Sequence, residues 1–188
     1  MGFCLFNNVA VAAEYLISHH GLDRVAVIDW DVHHGNGTQH LFEQRRDVLF
    51  ISLHEHPSYL YPGTGFASET GVGVGEGYTL NIPLDPGSGD EVFRAEITLK
   101  VTPLLERFGA QFILISAGFD ASRDDPLAHL EVSGDGFAWM TRYVMAESQR
   151  YCGGRLVSVL EGGYNLRRLG EDVALHVTAL LGDADPQA

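Results

Sequence analysis

The sequence predicts an α/β fold, a three-layer α-β-α arrangement around a mostly parallel sheet. Three observations carry this expectation. Short apolar runs rich in Val, Ile and Leu recur along the chain, as strands buried on both faces require. Segments with helical apolar spacing separate them, so successive strands are joined by crossovers. Polar, glycine-flanked residues follow three of the runs, at the strand ends where open α/β sheets bind ligands.

Asn8–His19 has helical spacing at Val9, Ala12, Ala13 and Leu16 and ends at Gly21. Arg24–Ile28 is the first strand, Thr38–Gln44 a helix, and Asp47–Leu53 (DVLFISL) the second strand. Residues 57–77 are glycine-rich and without period, which reads as a long functional loop. Tyr78–Ile82 is the third strand. Asp90–Phe108 is a long amphipathic helix with an acidic first turn. Gln111–Ser116 (QFILIS) is the fourth strand, and Ser133–Tyr151 a helix capped by Ser133. Arg155–Leu160 (RLVSVL) is the fifth strand, and Leu166–Leu181 the closing helix. Residues 1–182 read as one domain and 183–188 as a disordered tail.

The 188 residues are 45% hydrophobic and 20% charged, which argues against disorder. No apolar run approaches the roughly 18 residues of a membrane span. The formal net charge of −13 disfavours direct binding to nucleic acid or anionic lipid and suits a cationic substrate. Two cysteines, Cys4 and Cys152, form no disulfide framework and are expected to be buried packing residues in a reducing, cytoplasmic setting. Gly2–Ala13 lacks the basic flank of a signal peptide.

The first strand runs into Asp29-Trp30-Asp31-Val32-His33-His34-Gly35-Asn36-Gly37. Residues two apart in extended chain share a face, so Asp29, Asp31 and His33 point together. The fourth strand delivers Ser116-Ala117-Gly118-Phe119-Asp120, and the fifth Glu161-Gly162-Gly163-Tyr164-Asn165. Two carboxylates and an imidazole suit a catalytic divalent metal with an open position, and Asp31, His33 and Asp120 fit that description. Tyr164 is placed to donate to an oxyanion. Each motif alone also has a plainer reading, as a loop network, a helix cap or a turn. His19 and His20 fall at the opposite sheet edge. His129 and His176 read as ordinary surface or helix residues. His34 braces the loop, while His54 either supports the site or is structural, and His56 lies near its edge.

These segments, with Gly2-Phe3-Cys4-Leu5-Phe6-Asn7-Asn8, Tyr61-Pro62-Gly63-Thr64-Gly65 and Leu160-Glu161-Gly162-Gly163-Tyr164, resemble the zinc-dependent histone deacetylase family in order. That superfamily includes acetylpolyamine amidohydrolases and acetoin-utilisation proteins, and the chain looks most like bacterial members related to class II enzymes. The resemblance spans residues 2 to about 182 and implies the arginase/deacetylase fold. It implies a hydrolase that removes acetyl or other acyl groups from lysine-like amines. Asp31, His33 and Asp120 would hold Zn2+ (or Fe2+), with Tyr164 as the transition-state hydroxyl. Phe3, Tyr61, Leu127 and Gly163 would line the substrate tunnel. A structural K+ site would draw on Asp29, Asp31, His33, Ser52 and Leu53, and a second on carbonyls of Phe42, Arg45, Val48 and Tyr78.

The family's paired catalytic histidines lie just upstream of the Gly-Phe-Cys motif and have no counterpart here. The expectation is therefore an N-terminally truncated catalytic domain, weakly active or inactive by itself. Acetylated lysine and acetylated polyamine are the substrate alternatives. A non-catalytic acyl-lysine-binding module is the alternative of another class. An arginase-like two-manganese site is disfavoured, because Asp120-Ala121-Ser122-Arg123-Asp124-Asp125 supplies no clear second site. The oligomeric state is left open.

Overall fold

The computed structural model describes residues 4–182. The order is α1 (Asn8–His20), β1 (Val25–Asp29), α2 (Asn36–Phe42), β2 (Val48–Glu55), β3 (Thr79–Leu84), α3 (Asp90–Glu96), α4 (Thr102–Phe108), β4 (Phe112–Ala117), α5 (Gly134–Cys152), β5 (Leu156–Leu160) and α6 (Leu166–Leu180). Phe3 and the segment 183–188 lie outside the described residues. The five strands are all parallel, in the order β3-β2-β1-β4-β5.

Pleating divides the core into two layers. Val25 and Val27 of β1 pack with Val9, Ala10 and Ala13 of α1 and Phe42 of α2 on one face. Ala26 and Ile28 face Phe93 of α3, Leu105 of α4 and Phe137 of α5 on the other. This is the expected three-layer arrangement, and it arises because every residue of β1 and β2 is buried. β5 is an edge strand, with Val157 and Leu160 exposed.

Helix ends follow local chemistry. The Asn7 side chain accepts the Ala10 N–H at the start of α1, and Gly21, at φ 65°, closes it. Ser133 caps α5 by accepting the Gly136 N–H. The long helix expected over 90–108 is interrupted by a π turn at Ile97–Val101. Pro103 lacks an N–H, and its ring crowds the carbonyl four residues back. The preceding turn widens, and the Thr102 N–H and Oγ1 both reach the Ile97 carbonyl.

One expectation fails, and one residue read as an ordinary surface or helix position, His176 of α6, is buried. Cys4 is exposed, whereas Cys152 is buried as expected. His176 is a core residue: its Nδ1 lies 2.6 Å from Thr141 Oγ1 and its Nε2 2.9 Å from Ser158 Oγ. Both hydroxyls come from other elements, so the α6 spacing alone could not show that this face is covered. Burial lowers the His176 pKa to about 4 and keeps the ring neutral.

Ile28 sits at the centre of the sheet, paired with Ile51 and Ile115 and fully buried. Ile28→Ala is expected to destabilise the chain by about 2–5 kcal/mol. Urea unfolding checks this through a lowered midpoint at unchanged slope.

Candidate metal centre

Parallel pairing sets Asp29 abreast of Ser52 and Ser116 at the carboxyl edge of the sheet. Beyond it the chain is folded by its own carboxylates. Asp29 Oδ1 accepts the Asp31 N–H at 3.1 Å, and Asp31 Oδ1 accepts the His33 N–H at 2.9 Å. Each candidate carboxylate also ties down a distant backbone. Asp120 Oδ1 accepts the Val32 N–H at 2.8 Å, and Asp31 Oδ2 accepts the Gly162 N–H at 2.8 Å.

The ring and the two carboxylates converge. His33 Nδ1 lies 3.0 Å from Asp31 Oδ1 and 3.1 Å from Asp120 Oδ2. Among the described residues, this is the one cluster of three or more His, Cys, Asp or Glu side chains compact enough to hold a metal ion, with donor atoms within 4.8 Å of one another. Close backbone approach makes the cluster possible. A Cβ on Gly118 would stand 2.6 Å from Asp31 Oδ2, and one on Gly162 would collide with Asp120 Oδ2.

The electrostatics call for a cation. Burial, then Asp31 and Glu161, push the Asp29 carboxyl well above its ordinary range. Burial and Asp31 raise Asp120 to about 7, against the opposing pull of His33. Burial disfavours charge on His33, but hydrogen bonds to Asp120 and Asp31 outweigh it and raise its pKa to about 10. The protonated His33 ring is thus held between the two carboxylates. The donor set, two carboxylate oxygens and one imidazole nitrogen, fits a divalent ion that replaces the ring proton.

A cavity of about 700 Å³ opens over the cluster and is lined by Asp31, His33, Tyr61, Leu127, Gly163 and Tyr164. The rings of Tyr61 and Tyr164 stand edge-on to His33, at 6.4 Å and 6.3 Å between centroids. Burial, then Asp120 and Asp31, push the Tyr164 phenol up to about 12. Asp120 does not line the cavity but supports it from below. The residues expected to form a second cation site, Phe42, Arg45, Val48 and Tyr78, lie around the start of β2 and away from the cavity. There the Phe42 carbonyl accepts the Arg45 N–H, and the Tyr78 carbonyl accepts the Phe50 N–H.

Several supporting residues are missed by sequence reasoning. His34 braces the loop as expected, with Nδ1 on Thr64 Oγ1 and Nε2 on Gln39 Oε1. His54 joins it: Nε2 lies 2.9 Å from the Gly65 carbonyl, and burial lowers its pKa to about 4. Glu69, however, has no motif to announce it. Its Oε1 accepts the Gly65 and Phe66 N–H groups, and its Oε2 accepts Gln39 Nε2. Asp125 accepts the Leu127 and Tyr164 N–H groups. The Glu69–Gln39 and Asp125–Tyr164 pairings have no sequence signal, because those partners, 30 and 39 positions apart, meet only in the folded chain.

Comparison with known proteins agrees with this fold. The chain is 48% identical over 165 residues to a probable deacetylase of Archaeoglobus fulgidus, covering 88% of this chain and 45% of the relative. The solved HDA15 HD domain superposes with a TM-score of 0.90 at 46% identity, covering 98% of this chain and 51% of that one. An acetylpolyamine aminohydrolase from Burkholderia pseudomallei gives a TM-score of 0.86 at 37% identity, covering 95% and 50%. The chain spans about half the length of the curated relatives it matches. The family model for the histone deacetylase domain matches residues 1–180. With its parallel sheet and the cluster at its carboxyl edge, the chain belongs to the histone deacetylase domain family.

Proposed function

We propose that this chain carries the metal-binding part of a zinc-dependent amidohydrolase that removes acetyl groups from lysine-like amines. The observation that carries the reading is the convergence of Asp31, His33 and Asp120 beneath a cavity edged by Tyr164. Asp31, His33 and Asp120 would hold the ion. When bound, zinc supplies Lewis acidity at the acyl carbonyl and lowers the pKa of water. Tyr164, protonated at neutral pH, donates to the carbonyl oxygen as negative charge grows there. Tyr61 and Leu127, which line the cavity, would flank the acyl-amine chain, and Phe3 is assigned to the same role only by resemblance to the family.

The proton acceptor for the attacking water is assigned to a histidine pair upstream of Gly2, by resemblance to the family. His34 cannot serve, since both its ring nitrogens are engaged. Asp29, Ser52 and Leu53, beside the cluster, would hold a structural K+. Likeness to the acetylpolyamine aminohydrolase supports acetylated polyamine as a second substrate. The net charge of −13 suits either amine and disfavours nucleic acid. The free cysteines fit a cytoplasmic setting, and among the described residues no helix is long and apolar enough to cross a membrane.

Four outcomes test the reading. Zinc binding must displace the His33 proton, so apparent affinity rises with pH, about tenfold per unit between pH 7 and 8. Below pH 7 the rise is steeper, because Asp120 is then protonated too. Calorimetry in buffers of different ionisation enthalpy counts the released protons. Gly162→Ala pushes a methyl group into Asp120 and Asp31, and the same titration should show zinc binding lost. Turnover of acetyl-lysine peptide and acetylated polyamine is to be compared for this chain and for one extended upstream through the histidine pair. The extended chain should be roughly 10²–10⁴-fold faster. In it, Tyr164→Phe should cost roughly 10²–10³-fold at unchanged zinc affinity.

A further inference from the structure

We propose that Asp125 is a positioning residue, whose carboxylate clamps the backbone of Tyr164 to that of the rim residue Leu127. The inference rests on the reading that Tyr164 acts at the reacting carbonyl. Asp125 is 8% exposed and spends both oxygens on backbone. Oδ1 accepts the Leu127 N–H at 2.9 Å, and Oδ2 accepts the Tyr164 N–H at 2.8 Å. An aspartate two residues before its N–H partner is a common turn device and accounts for the first bond. It does not account for the second, which crosses 39 positions of sequence to the segment after β5.

The need for the clamp lies in the chain before Tyr164. Gly162 is anchored by Asp31, and its carbonyl accepts the Phe119 N–H at 2.7 Å. Gly163 follows at φ 148°, a conformation natural only to glycine. Tyr164 therefore hangs from a glycine hinge. On its far side Asp124 grips the next turn. Its carbonyl accepts Asn165 Nδ2 at 2.8 Å, and its carboxylate lies 3.2 Å from Arg168 Nε. The clamp removes the freedom the glycine introduces. The phenol stands at the end of a long side chain, so a small rotation at Gly163 becomes a large displacement of the hydroxyl. Misplacement by about 1 Å at a reacting centre can cost roughly 10²-fold in rate.

The test uses this chain loaded with zinc and labelled with 3-fluorotyrosine. The Tyr164 fluorine line is assigned by its loss in Tyr164→Phe. Asp125→Ala should shift and broaden that line, leaving the remaining tyrosine lines in place and zinc affinity within twofold. Asp125→Asn keeps only one acceptor for two N–H groups, so its line should fall between those of the wild type and Asp125→Ala. This variant also serves if Asp125→Ala does not fold. In the upstream-extended chain, Asp125→Ala should lower kcat roughly 10–100-fold. An unmoved Tyr164 line overturns the proposal. So does a loss of zinc affinity or a movement of all the tyrosine lines, either of which makes Asp125 merely structural. If the extended wild type shows no turnover, the amidohydrolase reading fails, and the fluorine line still decides the clamp.

Discussion

The Asp120 carboxylate joins two strand ends and, through them, the whole site. One oxygen holds the Val32 N–H of the turn after β1, and the other faces His33 Nδ1. The group is fully buried, so it tolerates charge only where donors and a cation meet it. Every neighbouring feature serves that constraint. Gly118 and Gly162 are bare so that carboxylates can fit against backbone. Asp31 is aimed by the Gly162 N–H, which also locates the chain before Tyr164. The crowding of Asp29, Asp31 and Asp120 is a cost the sheet bears at its carboxyl edge. It leaves this edge suited to a multivalent cation and to little else.

A second polar network holds the wall opposite. His34, His54, Gln39, Asn81 and Glu69 tie the loop bearing Tyr61 to α2 and β3. Its members are largely buried and mutually hydrogen-bonded, so the long loop is fixed without regular secondary structure beyond one short turn at Gly73–Gly75. The cavity thus lies between two braced walls, one pinned by Glu69 and one by Asp125.

Strands and helices were legible because their signals are local. The apolar runs of β1 and β4 admit few other readings, and Asn7 and Ser133 lie where caps belong. The Asp-x-Asp-x-His spacing was legible because alternation in extended chain places side chains on one face. The residue types at the ends of β4 and β5 were legible too, but their meeting with His33 followed only from the topology. The π turn before Pro103 escaped, because a proline near a helix start is ordinarily tolerated. The exposure of Cys4 and the burial of His176 escaped because composition does not show which face another element covers. Glu69 and Asp125 escaped for a related reason: a carboxylate that also meets a distant donor, Gln39 Nε2 or the Tyr164 N–H, looks, in sequence, like any surface acid.

The donor set is split across the chain: Asp31 and His33 follow β1, while Asp120 follows β4 and is 87 positions from His33. An unfolded chain cannot present all three donors together, so a metal ion held there would bind the folded state selectively and stabilise it by mass action. Metal supply would thereby become a determinant of lifetime. In a metal-poor cell the repelling carboxylates would stay uncompensated, local opening would grow more frequent, and proteases would gain access. The abundance of such a protein would then track metal availability without any dedicated sensor.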